Sequence, residues 1–130
     1  MARDNKINAT FTMDSGDGAS GFTESTDVHN FTSGDAVLIQ GVVATNEIEH
    51  SMADFGIAQA DGIYFHNRDA ASFILLSLRS GTGSSNNLSS LKIAAGGMMV
   101  VRCDVGQTAI THVAVIGEAA DAEYSLALSE

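Results

Sequence analysis

Between Gly62 and Val105 the chain is a series of short apolar stretches that alternate residue by residue and stop wherever Asn, Asp, Gly and Ser gather. Few folds accommodate that pattern, because a two-residue period puts successive side chains on opposite faces of a strand and each stop is a turn. Ile63 and Phe65 fall on one face, with Tyr64 and His66 on the other, so His66 is read as a surface residue. Asn67-Arg68-Asp69 is turn chemistry, since Asn and Asp bond their own backbone and tolerate left-handed geometry. From Ser72 to Arg79, Ile74, Leu76 and Leu78 share one face. Phe73, Leu75, Ser77 and Arg79 share the other, which starts apolar, ends polar and is expected to be covered at one end only.

Residues 80 to 90, SGTGSSNNLSS, have only Leu88 to bury and are expected to form an exposed loop. Leu91-Lys92-Ile93 reads as a short strand and Ala94-Ala95-Gly96-Gly97 as a turn. From Met98 to Val105, Met99, Val101, Cys103 and Val105 form an inward row while Arg102 and Asp104 point out. Cys103 is thus expected to be a small buried thiol rather than a nucleophile.

The same period marks Lys6–Met13 as a strand, with Ile7, Ala9, Phe11 and Met13 on one face. Asp14-Ser15-Gly16-Asp17-Gly18 has the acids and glycines of a calcium loop but lacks its third carboxylate and distal Glu, so an acidic turn is expected. Residues 19 to 35 are polar, anchored only by Phe22, Val28 and Phe31, and imply a long loop or weakly specified edge strands. Ala36–Ala44 (AVLIQGVVA) is nearly all apolar and β-branched, which predicts a strand covered on both faces at the centre of a sheet. Asn46–Ala60 is left irregular. Thr108–Gly117 and Ala122–Leu128 are further strands, the last with Ala122, Tyr124, Leu126 and Leu128 on one face.

Seven or eight short strands, almost no helical period and 13 glycines predict an all-β fold, an antiparallel β-sandwich or jelly-roll-like single domain. At 130 residues one domain spanning 1–130 is expected, with residues 1–5 a flexible arm. The expected core is Ile7, Phe11, Val37, Ile39, Phe65, Ile74, Leu76, Val101, Val113 and Leu126.

A net charge of −10 with only six Lys and Arg, none clustered, argues against direct nucleic-acid binding, which needs a basic stripe to displace phosphate counterions. Ten of the 16 acids lie in residues 1 to 61. One cysteine excludes an internal disulfide, and no apolar run approaches the ~20 residues of a membrane span. No apolar segment of signal-peptide length follows Met1, so synthesis in a reducing cytoplasm is expected.

His29, His50, His66 and His112 have no partner at metal-ligand spacing, so neither a metal nor a cofactor is expected. His112, between Thr111 and Val113, is read as a partly buried, hydrogen-bonded imidazole. Glu47 and Glu49 share a strand face in what is formally a hydrolase arrangement, but without nearby aromatic residues a solvated face is the better account. No G-x-S-x-G elbow or phosphate loop occurs, and no catalytic residue is assigned; the chain is not expected to be an enzyme.

The succession Ile63 to Asp69, Leu91 to Gly97, Met98 to Arg102 and Glu123 to Leu128 resembles small β-rich virion proteins of tailed bacteriophages, of the capsid decoration (cement) and tail-associated class. The resemblance covers about half of the chain and departs from the pattern at His66 and Arg68. It implies a structural protein of the virion that stabilises the capsid lattice by adhesion, with the major capsid protein and further copies of itself as partners, three being the number that decoration proteins often adopt. A tail or fibre module that binds host glycans through residues 14 to 35 and 80 to 90 is the alternative. Phe73, Leu75, Met98 and Val100 lie on strand faces opposite the core rows and are the expected interface residues.

Overall fold

The computed structural model describes the backbone at residues 3–7, 10–13, 22–25, 29–33 and 36, and the chain in full at 37–102 and 109–129. Its contacts group into two units, Met1–Gly34 and Asp35–Glu130. Cys103, Asp104, Val105 and the Asp14–Gly18 turn lie outside the described residues, as do the side chains of Ile7 and Phe11.

The first unit carries β1 (Arg3–Ile7), β2 (Thr10–Met13), β3 (Phe22–Ser25) and β4 (His29–Ser33). β1 runs antiparallel to β4, with Arg3 opposite Ser33, and β2 runs antiparallel to β3, with Met13 opposite Phe22. Residues 3–5, expected in an arm, belong to β1.

The second unit holds β5 (Ala36–Val43), β6 (Ile48–Ser51), β7 (Gly62–Asn67), β8 (Ile74–Arg79), β9 (Asn87–Ile93), β10 (Met98–Arg102), β11 (His112–Gly117) and β12 (Ala122–Ser129). They pair from the outside inward: β5 with β12, β6 with β11, β7 with β10, and β8 with β9. Two further ladders, β12 with β7 and β11 with β8, join these pairs into sheets ordered β10-β7-β12-β5 and β6-β11-β8-β9. A long antiparallel hairpin wound into two four-stranded sheets is a jelly roll, so the expected all-β sandwich is the fold found.

The core lies between the sheets. Val43, Ile63, Phe65, Tyr124, Leu126 and Leu128 of the first sheet meet Ile74, Leu76, Leu78, Val113 and Val115 of the second, with Met52, Ile57, Ala60 and Ile110 in the same cluster. Phe65 stacks on Tyr124 at 5.8 Å between ring centroids. Of the expected core, Phe65, Ile74, Leu76, Val113 and Leu126 are buried, while Val37, Ile39 and Val101 are partly buried.

The Asn67-x-Asp69 turn connects the sheets as its chemistry predicts. Fully buried Asn67 donates from Nδ2 to the carbonyls of Ser72, Ile93 and Ala94 at 2.8, 3.1 and 3.1 Å, while its Oδ1 accepts the Asp69 N–H at 3.0 Å. The Asp69 carboxylate accepts the N–H groups of Ser72 and Ala71, which hold its pKa below the ordinary value. The turn at Ala94–Gly97 closes with the Gly97 N–H on the Ala94 carbonyl at 2.8 Å, and Gly96 supplies the positive φ of 72°.

Three expectations need correction. β5 is an edge strand rather than a central one, and its second apolar face meets solvent. Residues 80 to 90 are only partly a loop, since β9 begins at Asn87; its Ser-rich sequence suits a strand with six exposed residues and one partly buried. The polar end of the β8 outer face is not open, because Ser77 and Arg79 are both buried.

Candidate functional site

Register defines the two outer faces of the sandwich. On the β10-β7-β12-β5 sheet, one row runs Val100, Tyr64, Ala127, Leu38 across all four strands, beside a second row of Met98, His66, Ser125 and Gln40. Val42 stands next to Glu123 on the same face. Leu38 and Met98 are each 61% exposed, Val42 49% and Val100 40%. Tyr64 and Ala127, between them, are partly buried; an apolar band that crosses a whole sheet and is exposed at both its ends is the kind of patch that marks an association surface.

The opposite face is built differently. Its rows are Lys92, Leu75, Ile116, then Ser90, Ser77, Ala114, Glu49, and finally Arg79, His112, Ser51 at the polar end. Lys92 Nζ lies 3.8 Å from the centroid of the Phe73 ring, and Leu75 sits between Lys92 and Ile116, so Phe73 and Leu75 are partly covered by the chain itself. Ser77 and Ser90 share a hydrogen bond of 2.9 Å between their hydroxyls. The four expected interface residues therefore do not meet. Met98 and Val100 lie on the exposed apolar face, while Phe73 and Leu75 belong to the other sheet.

At the polar end Arg79 is the largest buried side chain of the described residues, 1% exposed. Its guanidinium donates through Nη1 and Nη2 to both oxygens of Glu47 at 2.7 and 2.8 Å, through Nη1 to Glu49, and through Nε to Asn87 Oδ1 at 2.6 Å. Glu49 also accepts the Gly83 N–H at 3.0 Å; that bond and Arg79 hold its pKa below the ordinary carboxylate range despite the opposing cost of desolvation. The pair Glu47 and Glu49 is thus not a free acid/base couple: Glu47 keeps the solvated position expected of it, while Glu49 is partly buried. Both carboxylates are committed to a cation, and the cluster ties β6, β8 and the start of β9 together. Sequence reasoning missed Arg79. The available signal was a lone Arg ending an apolar strand, with two carboxylates spaced to share one face.

Between the sheets, His50 Nε2 and the Tyr124 hydroxyl lie 2.8 Å apart, with Phe55 tilted against the imidazole. Burial lowers the His50 pKa and raises that of Tyr124. His112 is partly buried and bonded to the Thr111 hydroxyl at 2.9 Å, as expected. His66 lies on the outer face, partly buried beside Tyr64. No group of three or more His, Cys, Asp or Glu placed to hold a metal occurs among the described residues.

The described residues of the second unit define a jelly-roll sandwich that carries an apolar band on one outer face. No family model matches the chain, and no curated protein matches it significantly. Among solved structures it is similar to one described as "Bacillus endospore appendages form a novel family of disulfide-linked pili", with a TM-score of 0.50, 11% identity, and coverage of 96% of this chain and 88% of that one. At that identity the likeness concerns the fold.

Proposed function

We infer that the protein is a self-associating structural protein that works by adhesion, most concretely a decoration protein of a phage capsid. The observation that carries this reading is the apolar band of Val100, Tyr64, Ala127 and Leu38, exposed at both ends with Met98 beside it, on a sandwich whose conspicuous charged cluster is spent internally on Arg79. Burying side chains of this kind is worth roughly 1.5–3 kcal/mol each, enough for a few per copy to hold the chain on a lattice. The major capsid protein and further copies of the chain are the partners, the virion is the place of action, and three copies is the assembly that the family resemblance favours. That a chain of similar fold belongs to a Bacillus appendage supports a role in building a surface. A covalent route of the kind named there is limited here, since one thiol per chain links at most two copies.

The test is saturable binding of the purified chain to capsids assembled from a tailed-phage major capsid protein. Binding at a fixed stoichiometry that Val100→Lys weakens at least tenfold is expected. Absence of capsid binding, with retention on immobilised host glycans instead, would replace this reading with a tail or fibre module.

A further inference from the structure

Each sheet has two edges, and three of the four carry a device that discourages another strand from pairing. β6 is only four residues long and includes Glu49; β9 includes Lys92 and a register shift against β8 at Leu78/Arg79; β10 ends on Arg102. Short length, charge and irregular register are the usual protections of an edge. β5 has none of them. Its eight residues, AVLIQGVV, are uncharged and proline-free, and its ladder to β12 is unbroken from Ala36 opposite Ser129 to Val43 opposite Ala122. Among the described residues no strand pairs with its other side.

We propose that β5 is a docking edge for the same strand of a second copy, pairing antiparallel about a twofold axis at Gln40. The inference rests on the self-association just argued and names the surface that carries it. Charge selects a second copy as the occupant. In a chain of net charge −10, a self-contact is tolerated only where like charges are kept apart, and β5 brings none to the junction. Glu123, on the neighbouring strand, is kept from its symmetry mate by both β5 strands, about 14 Å or more at ordinary strand spacing and so beyond a physiological Debye length of about 8 Å.

Side-chain parity then fixes the register. For the two sheets to continue as one, with their outer faces on the same side, residues of like parity must oppose each other. Centring on Gln40 sets Leu38 opposite Val42 of the second copy and Gln40 opposite itself, and aligns Val37–Val43 with its own reverse. The two most exposed apolar residues of β5 thereby cover each other on the outer face, and Ile39 lies opposite Gly41 on the inner one. The result is an eight-stranded sheet whose apolar band runs across both copies. A twofold contact yields dimers by itself, and joins trimers two by two if a second contact closes a threefold ring.

The test is the mass of the full chain in sedimentation at micromolar concentration, compared with Leu38→Lys/Val42→Lys and, as the control outside the apolar band, with Leu88→Lys/Leu91→Lys in β9. All four positions are exposed, so both variants are expected to keep the β spectrum and the unfolding midpoint of the parent. The β5 variant should halve the mass and raise the dissociation constant at least 100-fold, while the β9 variant leaves the mass unchanged. The alternate amides of residues 36–43 that point away from β12 should exchange faster on dilution of the parent protein in step with its dissociation. The expected parent is a dimer, or six copies where a threefold ring also closes; one that sediments as the 13.5 kDa monomer, or as a trimer with no further pairing into six, would overturn the pairing, as would a β5 variant of unchanged mass. Capsid binding by a monomer would sink the β5 contact and leave the particle role standing, whereas a β5 dimer that ignores capsids would do the reverse.

Discussion

Replacing Arg79 by Met tests whether the sandwich depends on its buried cation. The thioether keeps the aliphatic stem within the space that Arg79 fills and removes only the guanidinium fork. Hydrogen bonds to charged groups contribute about 1.5–3 kcal/mol each when both ends are withdrawn from water. Glu47 has 42% of its side chain exposed and is rehydrated once released, so its share falls below about 1 kcal/mol. Glu49, 21% exposed, keeps only the Gly83 N–H, while the amide oxygen of exposed Asn87 loses a cationic donor but regains water, a net cost of about 1 kcal/mol. The total is about 3 kcal/mol, which for a unit of this size lowers the midpoint of thermal unfolding by roughly 12–24 °C. Arg79→Lys should recover little of it, because an ammonium group cannot serve Glu47, Glu49 and Asn87 in one plane. Circular dichroism melts at neutral pH are the assay, with Arg68→Met, an exposed site, as the control expected to stay within about 0.5 kcal/mol. A fall of less than about 4 °C for Arg79→Met would show that the carboxylates hold nothing and would refute the reasoning.

Burial lowers the His50 pKa from 6.5, so the folded state binds fewer protons than the unfolded one between the two values; stability is complete above about pH 6.5 and falls as pH drops through the depressed value. Urea titrations from pH 7.5 to 5 should follow that course and lose most of the slope in His50→Gln. Below about pH 4.5 a second loss is expected, because Glu49 and Asp69 have depressed pKa values; Glu49→Gln should flatten part of it. Asn67→Leu leaves three carbonyls without their donor and should cost about 3 kcal/mol in denaturant unfolding, and Asn67→Asp, which turns an acceptor toward them, should cost more. At Gly41 an added Cβ would stand 2.8 Å from the hydroxyl of buried Tyr124, so Gly41→Ala should cost about 1–3 kcal/mol and weaken the His50 contact, visible as a rise in the imidazole pKa by NMR.

Strand faces were legible wherever one side of the strand met the core and the other did not. β7 and β12 show it most plainly, since Ile63, Phe65, Tyr124, Leu126 and Leu128 all lie where the two-residue period puts them. β5 was misplaced for a physical reason. An apolar residue on a second face states only that the face is apolar, and periodicity has no way to distinguish cover within the chain from exposure to a partner. β9 was half missed because an edge strand with six exposed residues has no burial pattern to display, and Ser and Asn satisfy it as well as they satisfy a loop. Arg79 was hidden by sequence distance. Glu47 and Glu49 reach it only because β11 pairs with both β6 and β8, a non-local arrangement that spacing alone does not encode. Of the four interface candidates, the sequence could name apolar outer-face residues but not which sheet each would join.

The outside-in pairing of the strands also sets a schedule for the growing chain. β12 follows every other strand of its unit, yet it lies inside its sheet, flanked by β7 and β5. Until synthesis has passed Ser129, Tyr64 and Leu38 have no Ala127 between them, and the band that crosses the sheet exists only as separate strands. Such long-range ladders form late and slowly, on the millisecond-to-second scale usual for β-sandwiches. The band as one surface therefore forms only after β12 has paired on both sides. A product truncated before β12 would lack the strand that joins β7 to β5, and with it the band as one continuous surface.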